Sequence, residues 1–345
     1  MRKGLVIFCV IILISLNTTF AQSGSVGVSK VGTTAATFLE IGIGASANGM
    51  GGAFVSLSND ATALYWNTAG VANIKRDEAY VVHTNWIADT KLDYAALVLP
   101  FGELGTLGFS YTSLSMPDMK VRTVQMPEGT GEYFSAGDLA LGISYARSLT
   151  DRFSIGFNAK FIQENIWNMT ANAFAMDFGT LFKTNLFGGM TIGASISNFG
   201  TRMKLAGRDT RTFSRVDRNK LGSNPRIPYQ IALTSWNLPL FFRIGVSTNA
   251  INSKDFKWTI AVDALHPNDN YESVNVGTEI TYQGFLTIRG GYQSLFLVDH
   301  EGGLSFGIGL NSKTLFSNNI VSFNYAYRNF GKLKSIHMFS LGISF

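Results

Sequence analysis

Large apolar residues alternate with small or polar residues over most of the chain beyond about residue 77. Successive side chains of a β-strand point to opposite faces, so a period of two predicts strands. The pattern therefore predicts a chain that is almost entirely β-strand after an N-terminal region. The segments that show it lie near residues 79–86, 92–100, 105–114, 138–147, 153–166, 173–183, 190–199, 229–236, 240–250, 257–265, 272–282, 285–293, 302–311, 319–329 and 336–345.

The two faces of these strands separate two classes of β protein. One face carries Phe, Leu, Ile, Val and Tyr, and the other is mostly Gly, Ser, Ala and Asn. A secreted β-sandwich also alternates, but its polar face usually carries Lys, Glu and Thr. Large apolar residues facing lipid and small residues facing a crowded interior instead favour a transmembrane β-barrel. The charges predicted to face inward include Lys160, Asp177, Arg243, Asp263, Glu279 and Arg289.

The number of strands follows from the lengths of the links. Bacterial single-chain barrels have an even number of strands, short periplasmic turns and longer outer loops. Counting from both ends gives this arrangement only if residues 229–236 belong to an outer loop. Pro225, Pro228 and Pro239 flank that segment, and proline cannot donate a ladder hydrogen bond. The sequence therefore predicts a 14-stranded antiparallel transmembrane β-barrel with long outer links at 115–137 and 200–228.

Composition supports a membrane protein. Charged residues make up 15% of the 345 residues and hydrophobic residues 46%, whereas soluble domains carry about 25% charged residues. After Gln22 the chain has no run of about 18 to 20 apolar residues that could span as a helix. The formal net charge of +5 is too small to indicate a nucleic-acid partner.

The first 21 residues predict a secretory signal peptide. Arg2 and Lys3 precede an apolar run over residues 4–16, and small residues lead to a cleavage point after Ala21. The single cysteine, Cys9, lies in this segment, so the mature chain has no disulfide or thiol chemistry. The predicted domains are a signal peptide at 1–21, an N-terminal plug at 22–76 and a barrel at 77–345.

The region of residues 22–76 does not alternate and is rich in small residues. Asp60 predicts an N-cap for a short helix over residues 61–65, and Gly70 predicts the end of a second turn. Glycine allows the backbone to approach another wall closely. About 50 mostly small residues before a barrel therefore predict a compact plug with short helical turns inside the lumen.

Two motifs in this region resemble a known family. The runs Gly49-Met-Gly-Gly-Ala-Phe-Val and Asp60-Ala-Thr-Ala-Leu-Tyr-Trp-Asn-Thr-Ala-Gly70 resemble the plug of the PorV/PorQ family, which is similar to the FadL-type channels. The resemblance continues through residues 263–270, 275–279, 289–292 and the last strand. Thr68 departs from the pattern, because the family usually has proline there, and is expected to loosen the turn. The plug motif comprises Gly49, Gly51, Gly52, Asp60, Tyr65, Trp66, Asn67 and Gly70.

The resemblance implies a 14-stranded barrel with an N-terminal hatch in a Bacteroidota-like, Gram-negative outer membrane. Family members of the PorV kind take part in type IX secretion, where they receive cargo by its C-terminal signal domain and pass it to a surface attachment machinery. FadL relatives instead move hydrophobic small molecules through a lateral opening. The expected function is therefore a non-enzymatic, secretion-associated component that handles or anchors cargo, and the alternative is a hydrophobic uptake channel.

Other motifs offer little chemistry, so no catalytic residue, metal or cofactor is predicted. The run Gly42-Ile-Gly44-Ala-Ser-Ala47 matches a relaxed dinucleotide fingerprint, but no strand and helix frame it. Asp299-His300-Glu301 has no identifiable partner for general-base catalysis. Residues 266–270 could offer oxygen ligands to Ca²⁺, although Pro-Asn-Asp-Asn is also a turn signal.

Two further segments predict contacts with the membrane and its machinery. The loop from Arg202 to Arg226 has a surplus of basic residues, and arginine pairs bidentately with phosphates such as those of lipopolysaccharide. Its candidate anion or partner contacts are Arg202, Arg208, Arg211, Arg215 and Arg218. The last strand resembles the insertion signal read by the barrel assembly machinery, with apolar positions Phe339, Leu341, Ile343 and Phe345.

Overall fold

Fourteen antiparallel strands close into a barrel in the computed structural model, which describes residues 30–215, 224, 226–297, 300, 302–312 and 319–345. The predicted signal peptide lies outside the described residues. Each strand pairs with its neighbour in the chain, and β1 pairs with β14. The strands are β1 Glu78–Asn85, β2 Lys91–Pro100, β3 Thr106–Ser115, β4 Ala136–Ser148, β5 Phe153–Ile166, β6 Met169–Lys183, β7 Thr191–Gly200, β8 Phe241–Asn252, β9 Phe256–Pro267, β10 Ser273–Tyr282, β11 Leu286–Leu295, β12 Leu304–Asn311, β13 Ile320–Asn329 and β14 Ser335–Ser344.

The prediction of fourteen strands is confirmed, and the proline-flanked segment lies outside the barrel. Ile227–Gln230 pairs with Arg211–Ser214 in a small sheet of the link between β7 and β8. In the same link, Ala206–Gly207 extends along the edge of β6 without entering the ring. A third short pair, Met119–Lys120 with Tyr133–Phe134, lies in the link between β3 and β4.

Link lengths give the barrel its orientation. The two longest links, between β3 and β4 and between β7 and β8, lie at the end of the barrel opposite the start of β1 and the end of β14. Long links of such barrels face outward and both termini of the strand ring face the periplasm. The outer end is therefore also the end at which β9, β11 and β13 finish.

The strand faces divide lipid-facing from luminal side chains. On the outside, Ile143 and Phe174 are 61% and 66% exposed. On the inside, Asp263 and Ser305 are fully buried. The inner face also carries the small residues that the alternation assigned to it. Because those side chains are short, they leave room in the lumen for a further segment of chain.

That space holds the luminal segment, defined as residues 31–77, which precede β1. It contains two short α-helices, α1 Ala45–Gly49 and α2 Ala63–Trp66, and two 3₁₀-helices, Thr37–Glu40 and Thr68–Asn73. Five more 3₁₀ turns lie in the described parts of the links, at Ile87–Asp89, Gly102–Leu104, Leu186–Gly188, Arg208–Thr210 and Gly331–Leu333. None of the described helices is long and apolar enough to cross a bilayer.

The predicted start of the helix in this segment is wrong. Helix α2 begins at Ala63, and its N-cap is Thr62, whose side chain makes no capping bond. Asp60 instead accepts a hydrogen bond from the Thr62 backbone N–H at 2.9 Å. An aspartate readily bonds the backbone two residues on, so it forms a turn before the helix rather than capping it. Gly70 also lies within the second 3₁₀-helix and does not end it.

Candidate functional site: the luminal segment and the outer mouth

Side chains of the inner wall hold the backbone of the luminal segment. The Asp263 Oδ2 atom on β9 accepts hydrogen bonds from the backbone N–H groups of Phe54 and Val55, at 2.7 and 2.8 Å. Five strands further round the ring, the Ser340 hydroxyl of β14 accepts one from the Ala45 N–H at 2.8 Å. Phe54 and Val55 lie in irregular backbone, and Ala45 is the first residue of α1, whose N–H has no partner within the helix. Wall side chains therefore satisfy donors that would otherwise be buried without partners.

Three motif glycines, Gly49, Gly51 and Gly52, lie where the segment touches the wall, whereas Gly70 packs against Ser58 and Ala63 of the segment itself. A Cβ atom on Gly49 would stand 3.0 Å from the Gly307 Cα of β12, and one on Gly51 would stand 2.6 Å from the Tyr292 N atom of β11. Gly51 also has a φ of +66°, which other residues rarely adopt. The glycine motif is therefore explained by close backbone approach.

The aromatic and amide residues of the motif join parts of the luminal segment to each other. The Trp66 Nε1–H donates to the Ile43 carbonyl at 2.8 Å, and the Tyr65 hydroxyl donates to the Leu39 carbonyl at 3.0 Å. Asn67 donates through Nδ2 to the carbonyls of Val55 in the segment and Thr180 in β6. These bonds fold the segment onto itself and join it to the wall.

Hydrogen bonds to Asn67 stabilise the turn that contains Thr68. The Asn67 Oδ1 atom accepts a hydrogen bond from the Ala69 N–H at 3.2 Å, and the Gly70 N–H donates to the Asn67 carbonyl at 2.8 Å. Asn67 therefore caps the second 3₁₀-helix, and threonine at position 68 is accommodated in a buried position.

One charged cluster lies on the luminal side of β5, β6 and β7. It comprises Lys160, Asp177, Asn158 and Asn198 and is called the Lys160 cluster. Lys160 Nζ lies 2.8 Å from Asp177 Oδ1 and also donates to Asn198. Asp177 accepts further hydrogen bonds from Asn158 Nδ2 at 2.9 Å and from the Asn198 N–H at 2.7 Å. Buried charges are tolerated when they are paired and hydrogen-bonded in this way.

A β-bulge places one member of this cluster. Ser197 and Asn198 of β7 both stand opposite Asp177, where the pairing of β6 and β7 shifts register. Asn198 has a φ of +65°, and asparagine adopts this conformation more readily than most residues. Its Nδ2 atom donates to the Pro239 carbonyl of the outer link at 2.8 Å.

A second charged group lies around Arg243 of β8, which is 3% exposed. Its Cζ atom lies 4.4 Å from the ring centre of Phe241, and 5.6 and 5.7 Å from those of Tyr65 and Trp66. Its Nη1 atom donates to the Ser197 hydroxyl at 3.2 Å. Contacts of a guanidinium with aromatic faces are favourable when water is excluded.

Beside Arg243 lies a cavity of about 130 Å³ near the outer end of the lumen. Glu40 of the luminal segment, Asp269 of the link between β9 and β10, and Asn275 of β10 line it together with Arg243. The Asp269 Oδ2 atom accepts a hydrogen bond from the Thr34 hydroxyl at 2.6 Å. These four lining residues, Arg243, Glu40, Asp269 and Asn275, are called the Arg243 cluster.

Burial raises the pKa of Glu40. Although this residue is exposed to the cavity, the surrounding protein limits its hydration. Desolvation, and then the neighbouring carboxylate of Asp269, raise the pKa of Glu40 from 4.5 to about 8, while Arg243 acts in the opposite direction. The Glu40 carboxyl group is therefore protonated in much of the neutral pH range.

The predicted basic contacts of the outer link lie at the surface. Arg202, Arg208, Arg211 and Arg215 are exposed, and Arg218 lies outside the described residues. Arg202 Nε donates to Asn237 Oδ1 at 2.9 Å, while Arg208 Nε lies 3.9 Å from Asp209.

The predicted insertion residues Phe339, Leu341, Ile343 and Phe345 all have outward, exposed side chains.

For residues 266–270 the sequence favours a turn over a Ca²⁺ site, and for residues 299–301 it identifies no catalytic partner. Asn268 donates to the Leu238 carbonyl, and His266 pairs with Glu272 at 2.9 Å. Asp299 and Glu301 lie outside the described residues. No group of three or more metal-ligating side chains occurs in the part of the chain that the structure describes. Residues 266–270 therefore form a turn whose side chains are engaged with their neighbours.

A groove of about 730 Å³ opens on the lipid-facing side beside the bulge. Phe174, Met176 and Phe199 are among the apolar side chains that line it, and Lys160 lies at its inner edge. The Lys160 cluster therefore stands between this groove and the lumen.

These features define a class: an outer-membrane β-barrel of a Gram-negative bacterium whose lumen contains its own N-terminal segment. The family model described as Type IX secretion system protein PorV matches residues 25–264. This match spans more than half of the chain, so the chain belongs to the PorV family, which places it in a Bacteroidota-like membrane. A comparison with curated proteins gives no match.

Solved structures show a similar fold at low sequence identity. The toluene transporter TodX of Pseudomonas putida is 12% identical, with 88% of this chain and 97% of that chain covered and a TM-score of 0.53. A FadL homologue of Pseudomonas aeruginosa is 11% identical, with 87% and 97% covered and a TM-score of 0.52. The toluene transporter TbuX of Ralstonia pickettii is 10% identical, with 88% and 97% covered and a TM-score of 0.51.

Proposed function

We propose that this protein is a non-enzymatic component of type IX secretion that handles or anchors secreted cargo at the outer membrane. The observation that carries the proposal is the family match, which runs from the luminal segment through most of β9. The partners that follow are secretion components and their cargo. Outer-membrane lipid, lipopolysaccharide and the barrel assembly machinery would be met during insertion and residence in the membrane.

The luminal segment supports a role carried out at the surface of the barrel. Asp263 and Ser340 hold it from two sides of the ring, and its glycines contact β11 and β12. We infer that residues 22–76 act as a plug that closes the lumen. A barrel closed in this way acts on a partner through its outer loops and not by conducting it.

The outer links between β3 and β4 and between β7 and β8 offer that surface. Four exposed arginines lie in the second link, and a basic surface suits an acidic protein partner or the phosphates of lipopolysaccharide. Phe213 and Tyr229 of its small sheet are exposed as well. Aromatic and arginine side chains together are typical of protein interfaces.

A hydrophobic uptake channel is the second candidate, and the lipid-facing groove beside the bulge favours it. An apolar solute would need a route from this groove into the lumen. The Lys160 cluster stands on that route, and moving an apolar solute past a buried ion pair is unfavourable because the solute cannot replace its hydrogen bonds. The secretion role is therefore preferred.

Two measurements separate the two functions: a purification of the tagged protein and an uptake assay in a strain from which its gene is deleted. Cross-linked affinity purification of the tagged full-length protein should recover large secretion components, and uptake of a labelled long-chain fatty acid should remain normal. A matched pull-down with an unrelated tagged barrel controls for nonspecific recovery. Loss of uptake without any recovered secretion component would contradict the secretion role and support the channel.

A further inference from the structure

The Arg243 cluster contains buried donors that have no partner in the described structure. Arg243 and Asn275 are 3% and 1% exposed, and neither Arg243 Nε nor Asn275 Nδ2 donates a hydrogen bond to a described residue. The Asn275 Oδ1 atom is engaged, because it accepts from the Ser294 N–H at 2.8 Å. Unsatisfied buried donors are rare, so two on one cavity indicate that something else binds them.

Strand register explains why these donors share a cavity. Arg243 of β8 stands opposite Leu265 of β9, and Asn275 of β10 stands opposite Asp263, two residues before Leu265. Neighbouring strands lie about 4.8 Å apart, so the two donors face the lumen across the width of β9. Asp263 lies between them. Its Oδ2 atom is occupied by the luminal segment, and its Oδ1 atom is buried beside Gly245 without a hydrogen-bond partner in the described residues.

Acidic side chains line the same cavity. Glu40 and Asp269 form a carboxyl pair there, and the Asp269 carboxylate contributes to the raised pKa of Glu40. Asp269 is 5% exposed, and its Oδ1 atom receives no hydrogen bond from an N–H or hydroxyl group. A carboxyl pair that can carry one or two negative charges suits a cationic group, and Arg243 with Asn275 suits an anionic one.

Size and access limit what can bind. The 130 Å³ of the cavity equals the room of about four water molecules, so a ligand of roughly five to seven covalently bonded heavy atoms fills it. Outer-end residues Asn270, Tyr271 and Leu297 form part of the lining. The cavity is therefore placed to receive a small molecule from the outside.

We propose that this cavity binds a small zwitterion, an amino acid with a short side chain. Its carboxylate accepts hydrogen bonds from Arg243 Nε and Asn275 Nδ2, and its ammonium group donates to the carboxyl pair of Glu40 and Asp269. A zwitterion is neutral overall, so it adds no net charge to a buried site that already holds opposite charges. The site is independent of the secretion role and of the lipid-facing groove.

The test is isothermal titration calorimetry on the full-length protein in a non-ionic maltoside, because zwitterionic detergents would compete. Glycine and L-alanine are the probes, and acetate and methylamine each carry only one of the two charged groups. Glycine and alanine should bind, whereas acetate and methylamine should bind at least about tenfold more weakly. L-Tryptophan should not bind, because it exceeds the cavity.

Variants locate the binding. Asp269→Asn and Asn275→Ala should each weaken glycine binding by at least about tenfold, because each loses one side of the recognition. Asn324→Ala is the matched control, since Asn324 is also a buried luminal asparagine but does not line this cavity. Heat-modifiable migration establishes that each variant is folded.

Two outcomes would overturn the proposal. Absence of a glycine or alanine signal with the wild-type protein at millimolar concentrations would show that the cavity holds water only. Equal binding of acetate and glycine would show that the carboxyl pair does not contribute. Both comparisons use the wild-type chain, so they remain decisive even if a variant fails to fold.

Discussion

Two of the charged clusters inside the described barrel, the Lys160 cluster and the Arg243 cluster, differ in how completely their polar atoms are partnered. In the Lys160 cluster, no buried side-chain nitrogen or oxygen of Lys160, Asp177, Asn158 or Asn198 lacks a hydrogen bond. In the Arg243 cluster, Arg243, Asn275 and Asp269 each have one buried side-chain nitrogen or oxygen that makes no hydrogen bond with the described residues. A fully partnered cluster fixes the wall in one arrangement, whereas a partly partnered cluster keeps polar atoms that can bind a ligand.

The largest expected effect comes from breaking the complete cluster. Lys160→Met leaves Asp177 buried without its cation, and removal of one partner from a buried ion pair costs about 3–5 kcal/mol. The free energy of unfolding, measured by urea titration in detergent, should fall by about this amount. The double variant Lys160→Met/Asp177→Leu should recover most of the loss. An unchanged stability of the single variant would mean that the pair is solvated.

A charge on the lipid-facing side of the barrel should be far less favourable than a paired charge on the luminal side. The inner face tolerates Asp177 because the wall supplies its partners, but Leu341 faces lipid. Leu341→Asp should disfavour insertion by up to about 2–4 kcal/mol, with aspartate nearer the lower end. The amount of heat-modifiable protein recovered from outer-membrane fractions measures insertion, and Leu341→Phe is the control. Equal recovery of the aspartate variant would contradict the assignment of faces.

Deletion of Phe345 tests the insertion signal separately. This residue ends the chain with an exposed aromatic side chain, and its backbone N–H donates to the Asp77 carbonyl at 2.9 Å. Its removal should lower the yield of inserted barrel in the same fractionation assay, whereas the conservative change Phe345→Trp should not. Normal insertion of the truncated chain would remove the support for a C-terminal signal.

A smaller effect is expected where one wall carboxylate holds the luminal segment. Asp263→Asn replaces a charged acceptor by a neutral one for the N–H groups of Phe54 and Val55, which should cost about 1–2 kcal/mol. Hydrogen exchange of the peptide covering these residues should accelerate. The peptide around Ala45, which is held by Ser340, should be unaffected. Equal acceleration of both peptides would indicate general unfolding.

The smallest effect is expected from the pH dependence contributed by Glu40 of the Arg243 cluster, because water screens the charge of this exposed side chain. The folded chain keeps Glu40 protonated up to a pKa of about 8, whereas the reference value is 4.5. The folded state therefore binds a proton that the unfolded state has released, so this contribution to stability is complete below pH 4.5 and is lost as the pH rises through about 8. The thermal midpoint of the wild type should fall more between about pH 5 and about pH 9 than that of Glu40→Gln. Parallel curves would contradict the raised pKa.

The strands could be predicted from the sequence because their signal is local. Alternation within ten residues determines which side chains face lipid, and Pro225, Pro228 and Pro239 exclude the extra segment from the ring. The glycine motif is local too, since Gly49 and Gly51 are only two residues apart. Their partners, Gly307 and Tyr292, are distant in the chain, so the motif indicated close packing but not where it occurs.

The Arg243 cluster could not be predicted for the same reason. Glu40 is separated from Arg243 and Asp269 by more than two hundred residues, and only the strand register brings them to one cavity. The bulge at Ser197 and Asn198 leaves a local signal, since the outward residues Ile196 and Phe199 are three residues apart and break the period of two. Asp60 was assigned as a cap from its residue type, although Thr62 occupies the capping position.

The central claim is that the luminal segment closes the barrel, and conductance in planar bilayers tests it most directly. The intact protein should conduct little, and deletion of residues 22–76, which follow the predicted signal peptide, should open a stable pore. The Asp263→Asn variant should show only brief openings, because Ser340 and the glycine contacts still hold the segment. High, steady conductance of the intact protein would contradict the account.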